Sequence, residues 1–431
     1  MKHTFSGRIK IILSLLCAAG LVVAAGCGST GSDAGEAAGR TEETGSEAES
    51  EATGTGAEEG TAGVNADKLA VTSAEAADGD DGDDALSAAE ADEVKSAETD
   101  EAETADAAPA SEGTKTLTIS ATGDCTLGAM QEHGYAGSFN SYYDNYGEDY
   151  FFSGVRDIFA ADDLTIINLE CVLTNATERE EKEYSLKGAP EYVGIMTGSS
   201  VDAVSLGNNH TYDYGQEGFD ETVSVVDDAG IAYAYDGCPG LYVSDDGVRV
   251  GIVSANAYYD EPDLRDSMSA EIASLREEGA EVVICCCHWG IEKDYYPSDD
   301  QVSLAHALID AGADLIIGNH PHVLQSVEVY DGKVICYSLG NFCFGGNLNP
   351  EDKNTMIYQQ TFTIEDGELQ TDAIDARIIP CRLSSADTYN DFQPTVASGE
   401  QKEEIIDLVN EYSSIFGTAS FDAEGNLVSA E

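Results

Sequence analysis

Short apolar runs and polar loops alternate regularly from Thr116 to the end of the chain. Several runs have the length and composition of buried strands, and longer segments between them repeat apolar residues at helical spacing. This pattern predicts strands over residues 116–122, 163–168, 201–206, 248–254, 282–287 and 314–317. It predicts helices over residues 215–229, 267–278 and 301–311, each followed by a glycine as a stop signal. Strands that alternate with helices favour an α/β fold with largely parallel pairing.

The pattern changes in the last quarter of the chain, where paired apolar segments flank tight turns. Residues 327–337 and 362–369 each contain an Asp-Gly turn, which is the strongest short signal for a hairpin. A late helix is predicted over 403–413. We therefore expect this back part to supply antiparallel strands, consistent with a second sheet packed on the first. No shift in composition interrupts residues 115–431, so we predict one domain there.

The N-terminus has the parts of an export signal. Three basic residues precede an apolar run over 11–25, which at roughly 15 residues is shorter than the about 20 that span a bilayer. The segment Ala24-Ala25-Gly26-Cys27 resembles a bacterial lipobox, although leucine is usual where Ala24 stands. We predict a lipoprotein signal over 1–27, with Cys27 lipidated as a membrane anchor. Plain secretion with an incidental cysteine is the alternative, and both place the protein outside the cytoplasm.

Residues 28–114 consist almost entirely of small and acidic residues. They contain 25 acidic and three basic side chains, too little apolar surface to offset the entropy of ordering. We predict a disordered acidic linker that holds the domain away from the membrane, and a specific binding role for it is the alternative. The net charge of −62 is shared with the domain, and no basic stripe is present, so nucleic acid is not an expected partner.

Nine of the eleven cysteines lie in residues 115–431, and three of them, Cys285 to Cys287, are consecutive within a predicted strand. An odd number with three adjacent members is a poor disulfide framework. We expect these cysteines to be small buried apolar residues.

Polar residues follow the carboxyl ends of five predicted strands. At that edge of an open α/β sheet, ligand sites form. Imidazole and carboxylate ligands suit Zn, Mn or Fe ions, and a bridging carboxylate suits a two-metal site. Taken singly, each residue has an ordinary explanation as a turn, a helix cap or a buried core histidine. Their coincidence on one edge predicts a metal site formed by residues among Asp124, Glu170, Asn209, His210, His288, His320 and His322.

Six motifs follow one another over nearly the whole domain. They are GDCTLG (123–128), NLE (168–170), SLGNNHTYDYG (205–215), HWGIE (288–292), GNHPHVLQ (318–325) and YSLGNF (337–342). With these motifs the chain resembles the CapA-type poly-γ-glutamate capsule biosynthesis proteins, which are similar in turn to calcineurin-like metallophosphoesterases. The resemblance implies a four-layer α/β/β/α sandwich, two facing mixed sheets flanked by helices.

The resemblance also assigns roles. It implies that His210 is a proton donor or transition-state stabiliser beside the site and that Glu170 is the bridging ligand. We further expect Asp213, Glu292 and Gln325 to support the ligands or line the pocket, with a turn role as the alternative for Asp213. The implied metal ligands are Asp124, Glu170, Asn209, His288, His320 and His322.

Two positions depart from the family pattern. Metallophosphoesterases open with Asp-x-His, and Thr126 stands at the third position here, which puts the second ion in doubt. CapA-type proteins often have an arginine just after the first motif, where this chain has Ala129.

Together with the predicted lipoprotein signal, the resemblance implies a cell-envelope lipoprotein of capsule synthesis or export. Its metal site, with one or two divalent ions (Mn, Fe or Zn), would suit phosphoester-type hydrolysis by activated water. The alternative is a non-catalytic, metal-containing scaffold that binds or assembles a polymer at the membrane. A third hypothesis, an inert scaffold with a decayed site, requires that the polar loop residues remain by accident. We expect the membrane as a partner, through lipidated Cys27. Further expected partners are other membrane proteins of capsule synthesis or an anionic polymer.

Overall fold

The computed structural model describes residues 113–429. The predicted signal over 1–27, the lipidation site Cys27 and nearly all of the predicted linker over 28–114 lie outside these residues. Within 113–429, none of the helices combines the length and the apolar character required to span a bilayer.

The described chain forms many short strands and a smaller number of helices. The strands are β1 Thr114–Thr126, β2 Leu164–Leu169, β3 Val172–Leu173, β4 Lys187–Gly188, β5 Ala203–Ser205, β6 Ala232–Ala234, β7 Gly240–Val243, β8 Arg249–Asn256, β9 Val282–His288, β10 Leu315–Asn319, β11 Val327–Tyr330, β12 Lys333–Cys336, β13 Asn341–Phe344, β14 Asn354–Glu365, β15 Glu368–Leu369, β16 Asp375–Arg382, β17 Thr395–Val396, β18 Ala419–Phe421 and β19 Leu427–Ser429. The helices are α1 Phe139–Tyr146, α2 Arg156–Phe159, α3 Val193–Thr197, α4 Gly215–Asp228, α5 Pro262–Glu277, α6 Asp299–Asp310 and α7 Glu400–Ser413.

These bounds confirm the predicted alternation of strands and helices. The six predicted strands form as β1, β2, β5, β8, β9 and β10, and the predicted helices form as α4, α5, α6 and α7. Helix α6 begins at a capping box, in which the Ser298 hydroxyl accepts from the Gln301 backbone and the Gln301 side chain accepts from the Ser298 backbone. Helix α1, with its aromatic sequence, was not predicted.

The strands form two large sheets. The first has the order β17-β16-β14-β1-β2-β5-β6, with β13 beside β1 and β15 beside β14. Strands β1, β2, β5 and β6 run parallel, whereas β14, β16 and β17 add antiparallel strands to the same sheet. The second sheet has the order β11-β12-β10-β9-β8-β7, with parallel pairing from β12 to β8.

The back part of the chain supplies antiparallel strands, as predicted, but most of them extend the first sheet. Only the hairpin β11–β12 joins the second sheet, and β14 returns to pair with β1 along residues 114–121. The centre of the second sheet consists of β8, β9 and β10, which come from the alternating part of the sequence. A hairpin signal specifies pairing between neighbours in sequence, but it contains no information about the sheet edge on which the hairpin packs.

Three apolar clusters define four layers. The largest lies between the sheets and joins residues such as Ile119 and Ile166 of the first sheet to Ile284 and Ile317 of the second. A second cluster packs α1 to α4 on the outer face of the first sheet. A third packs α5 and α6 on the outer face of the second sheet. The domain is therefore an α/β/β/α sandwich, as the resemblance implied.

The consecutive cysteines follow the two-residue period of a buried strand. Cys286 faces the central cluster, whereas Cys285 and Cys287 face the layer of α5 and α6. The nine cysteines of the described residues are buried and free of disulfides, which confirms that they are small apolar core residues.

Candidate metal centre

The carboxyl ends of the parallel strands bring the predicted residues of five loops together. Asp124 lies near the end of β1, Glu170 follows β2, Asn209 and His210 lie in the loop after β5, His288 ends β9, and His320 follows β10. The pairing of Asn319 with His288 aligns the ends of β10 and β9. The two sheets thus contribute side chains to one site between their edges.

Glu170 lies at the centre of this site. It is fully buried, and neither carboxylate oxygen has a hydrogen-bond partner among residues 113–429. Its Oε1 lies 3.5 Å from His288 Nε2, 3.8 Å from His322 Nε2 and 4.0 Å from His210 Nε2. Buried carboxylates are normally hydrogen-bonded. A carboxylate without donors, surrounded by imidazole nitrogens, fits the binding of a cation.

Two overlapping groups of side chains have the spacing of metal ligands. Ligand atoms of Glu170, His320 and His322 lie within 4.8 Å of one another, and so do those of Asp124, Glu170 and His288. Glu170 belongs to both groups, as a bridging carboxylate would. Asp124 Oδ2 also lies 3.1 Å from His322 Nδ1, which links the two groups on a second side.

The backbone around Pro321 adopts an unusual conformation to bring two histidines to the site. His320 has a φ of 97° and His322 a φ of 59°, in the region that residues with a Cβ rarely occupy. Such conformations cost free energy and occur where the surroundings impose them, often at functional sites. The two imidazoles are 5.8 Å apart between ring centroids, and His320 Nδ1 lies 3.1 Å from His288 Nε2.

Neighbouring asparagines hold the central residues in place. Asn209 Oδ1 lies 2.9 Å from His288 Nε2, so the predicted ligand faces the site. Asn168 and Asn341 were not predicted as site residues. Asn168 donates to Asp124 Oδ1 at 2.8 Å, and Asn341 Oδ1 lies 3.0 Å from His322 Nδ1. Both lie within motifs of the resemblance, Asn168 near the carboxyl end of β2 and Asn341 at the first residue of β13, and the motifs were the available signal.

His210 is oriented by a carboxylate. Its Nδ1 lies 2.7 Å from Asp213 Oδ2. A protonated Nδ1 therefore donates a hydrogen bond to Asp213, and Nε2 faces Glu170. Asp213 is fully buried, accepts from the Leu186 backbone N–H at 2.5 Å and forms an ion pair with Lys182. The side chain of Asp213 therefore contacts His210 directly, and its supporting role in the site stays a prediction. Lys182 was not predicted.

The remaining predicted residues lie further from the centre. Glu292 lines the cavity in front of the site. Gln325 does not, because its side chain is fully buried, accepts from Gln301 at 2.9 Å and donates to the Asp294 carbonyl at 2.8 Å. Of the two roles expected for Gln325, lining of the pocket is therefore corrected. Its side chain instead holds the 294–296 loop through hydrogen bonds to the backbone. The Thr126 hydroxyl donates to the Glu170 carbonyl at 3.1 Å, so this side chain positions the backbone of Glu170.

Electrostatics in the site favour retention of a proton in the absence of a cation. Burial raises the pKa of the Glu170 carboxyl well above its usual range, and the charge of Asp124 raises it further. Burial opposes the charge on His322, but Glu170 and a hydrogen bond to Asp124 outweigh it and raise the pKa of His322 to about 10. Burial lowers the pKa of His288 strongly and that of His320 to about 4. Neutral imidazoles and displaceable protons are what a metal ion requires.

A cavity of about 890 Å³ opens in front of the centre. Asn209, His210, His322 and Asn341 line its inner end. Its size matches that of ligand-binding clefts, so a ligand in it would have access to the central residues.

Comparisons with known proteins identify the family of this chain and several relatives. A family model described as "Bacterial capsule synthesis protein PGA_cap" matches residues 118–346, the segment that contains every predicted ligand. The chain is similar to the "PGA biosynthesis protein CapA" of Bacillus subtilis (strain 168), with 33% identity over 218 residues, covering 46% of this chain and 57% of the relative. It is similar to the "Capsule biosynthesis protein CapA" of Bacillus anthracis, with 30% identity over 253 residues, covering 53% and 60%. The chain thus spans somewhat less than two thirds of the length of these relatives.

Among solved structures, a novel phosphatase from Mycoplasma pneumoniae aligns with 62% of this chain and 95% of its own length. The sequence identity is 10% and the TM-score is 0.39. A TM-score of that size supports no conclusion about this chain.

Proposed function

The chain belongs to the bacterial capsule synthesis protein family PGA_cap, and from that premise we propose that its domain is a metal-dependent hydrolase of phosphoester-type bonds. The observation that supports this proposal is the environment of Glu170. Both of its oxygens are buried and lack hydrogen-bond donors among the described residues, and three histidines surround it. Asp124, Glu170, Asn209, His288, His320 and His322 would hold the metal.

One or two divalent ions bound there would activate water and stabilise negative charge on the substrate. The chain's own residues would position the substrate and move the proton. His210 Nε2 faces Glu170 from 4.0 Å away, where it would donate a proton to the leaving oxygen. Asp213 holds Nδ1 of the same ring at 2.7 Å, which fixes the orientation of the imidazole and stabilises its charged form.

Turnover by the full-length chain tests this proposal. We would load the purified protein with Mn²⁺, Fe²⁺ or Zn²⁺ and assay a 4-nitrophenyl phosphodiester and the corresponding monoester. His210→Ala should lower kcat by roughly 10²- to 10⁴-fold, the usual contribution of a general acid. His133→Ala is the matched control, because His133 does not line the cavity. Equal turnover of the two variants would contradict the assigned role of His210, and turnover that withstands a chelator would contradict metal dependence.

Thr126 favours a second candidate function, a one-ion site that binds a polymer during assembly without hydrolysing it. Thr126 stands where the related enzymes have a histidine ligand, and its hydroxyl is used to hold the Glu170 carbonyl at 3.1 Å. Bound metal without turnover of either phosphoester would support this candidate.

We also propose that the protein is a lipoprotein of the cell envelope, anchored through Cys27. The support is in the sequence, where a short apolar run ends in Ala24-Ala25-Gly26-Cys27. In this location the domain would act on material outside the cytoplasm, in agreement with a role in capsule synthesis.

A further inference from the structure

The cavity continues from the metal centre to a second set of charged residues. Lys353 and Arg382 line it, at the start of β14 and the end of β16, and Arg382 pairs with Asn354 across these strands. Both cations lie beyond residues 118–346, the segment that the family model matches.

Lys353 is buried without a carboxylate partner. Only 4% of its surface is exposed, and its ammonium donates to the Tyr389 carbonyl at 2.5 Å and the Ala386 carbonyl at 3.2 Å. No carboxylate of residues 113–429 lies within ion-pair distance of its Nζ. A buried ammonium without a counter-ion is costly. Burial, and then the charge of Arg382, lower the pKa of Lys353, whereas the charges of Asp391 and Asp387 raise it by less.

Arg382 is also weakly compensated. One of its terminal nitrogens donates to Asn354 Oδ1 at 2.7 Å. The nearest carboxylate, Asp387, is 3.9 Å away and its side chain is 81% exposed. A guanidinium has five N–H donors in a planar fork, so donors remain available to a ligand.

Within residues 113–429, neither Lys353 nor Arg382 has a carboxylate at short range, although the chain is strongly acidic. The chain has 82 acidic and 20 basic residues, and many described cations have a carboxylate at short range. Arg156 and Arg179 form ion pairs of 2.7 and 2.6 Å, and Arg276 and Lys333 each lie 2.5 Å from Asp314. Lys353 and Arg382 have no ion pair of this length in the described part of the chain. We therefore expect a ligand in the cavity to supply the negative charge beside them.

Amide side chains also line the cavity. Asn347, Asn349 and Asn354 are among its lining residues, and the side-chain amides of Asn347 and Asn354 donate no hydrogen bond within the described residues. Amide groups can both donate and accept hydrogen bonds, so this wall suits the polar backbone of an elongated ligand. Rim carboxylates such as Glu351 and Glu404 also line the cavity and would disfavour anions bound away from the two cations.

We propose that Lys353 and Arg382 form a binding subsite for an oxyanion of an elongated substrate, a carboxylate or a phosphate, while another part of that substrate lies at the metal centre. This inference rests on the proposed function in one respect, since it takes the metal centre as the place of reaction. The subsite would set the register of the substrate along the cavity and favour extended polyanions over small esters.

Binding to the full-length, metal-loaded protein tests the subsite without requiring turnover. We would titrate a short glutamate oligomer and, separately, inorganic triphosphate, and measure the dissociation constants by calorimetry. Arg382→Gln should weaken binding at least tenfold and reduce its salt dependence, and Arg382→Lys should restore part of the affinity. Arg377→Gln is the matched control, because Arg377 lies on the same strand, is exposed and bonds Gln359 at 2.6 Å.

The outcomes separate the hypotheses. An Arg382 effect with the oligomer alone identifies a carboxylate subsite, an effect with triphosphate alone identifies a phosphate subsite, and an effect with both supports a general oxyanion subsite. Equal affinities of the Arg382→Gln and Arg377→Gln proteins, or no binding of either probe to the wild type, would overturn the proposal. Arg382-dependent binding by a protein that hydrolyses no phosphoester would refute the proposed hydrolysis and leave the subsite intact. Unchanged melting temperatures exclude misfolding of the variants.

Discussion

Replacing Glu170 by glutamine removes one negative charge from the metal centre and keeps the shape of the side chain. Burial raises the pKa of Glu170 well above its usual range, so the metal-free site disfavours a charge at this position, and the neutral amide of glutamine removes that charge. We therefore expect the metal-free variant and the metal-free wild type to melt at similar temperatures. The difference should appear only when a divalent ion is added.

The expected rise in Tm follows from the free energy of ion binding and from the size of the domain. A ligand at 100 times its Kd stabilises the folded state by about 2.7 kcal/mol. With an unfolding entropy of about 2.1 cal/mol/K per residue over roughly 320 residues, this corresponds to a rise in Tm of about 4 °C. If the variant binds the ion about 100-fold more weakly, the rise at the same concentration falls below about 1 °C.

Differential scanning fluorimetry of the full-length protein, with and without Mn²⁺ or Zn²⁺, measures these shifts. Asp162→Asn is the matched control. Asp162 is 4% exposed and burial raises its pKa to about 7, but it lies before β2 and outside the centre. Weak binding of ions elsewhere on the acidic chain affects both variants equally. A Glu170→Gln protein with the same metal-induced shift as Asp162→Asn would refute the assignment of Glu170 as a ligand.

Three further predictions concern protons, orientation and location. The pKa of His322 is raised to about 10 without metal, so His322 is protonated at pH 7.5 and an ion that binds its imidazole must displace that proton. Calorimetry in two buffers of different ionisation enthalpy should detect about one proton released per ion, and no release would contradict this picture. Asp213→Asn removes the carboxylate acceptor 2.7 Å from His210 Nδ1. The value of kcat should fall roughly 10- to 100-fold, as for other carboxylates that orient a histidine, with little change in KM. An unchanged kcat would show that Asp213 does not orient the ring. Cys27→Ala should release the protein from the membrane fraction and abolish labelling by a radioactive fatty acid, whereas retention of the label would disprove anchoring at this residue.

The positions of Glu170 and the histidines were predictable because they follow apolar runs whose length and spacing specify strands. The carboxyl ends of parallel strands meet at one edge, so convergence could be inferred without coordinates. The same reasoning covers Asn168, which lies near the carboxyl end of β2, but not Asn341, which begins β13. Amides are common in turns, and the roles of both residues depend on contacts with Asp124 and His322 that only the fold creates.

Other features depend on long-range packing that a local pattern does not encode. The pairing of β14 with β1 joins residues more than 200 positions apart, and no turn signal specifies it. Lys182 and Asp213 are likewise brought together only by the fold. Helix α1 has the sequence FNSYYDNY with no extended helical period, and it is held by ring contacts such as Phe139 with Phe151 at 4.2 Å and with Phe392 at 5.4 Å.

The central claim is that the loop residues around Glu170 bind a metal ion. The most direct test is X-ray diffraction from crystals of the protein loaded with Mn²⁺ or Zn²⁺, with data collected on both sides of the metal absorption edge. We predict an anomalous difference peak between Glu170 and the imidazoles of His288, His320 and His322, and a second peak on the Asp124 side if two ions bind. Absence of any peak at Glu170 in crystals that contain the metal elsewhere would contradict the account.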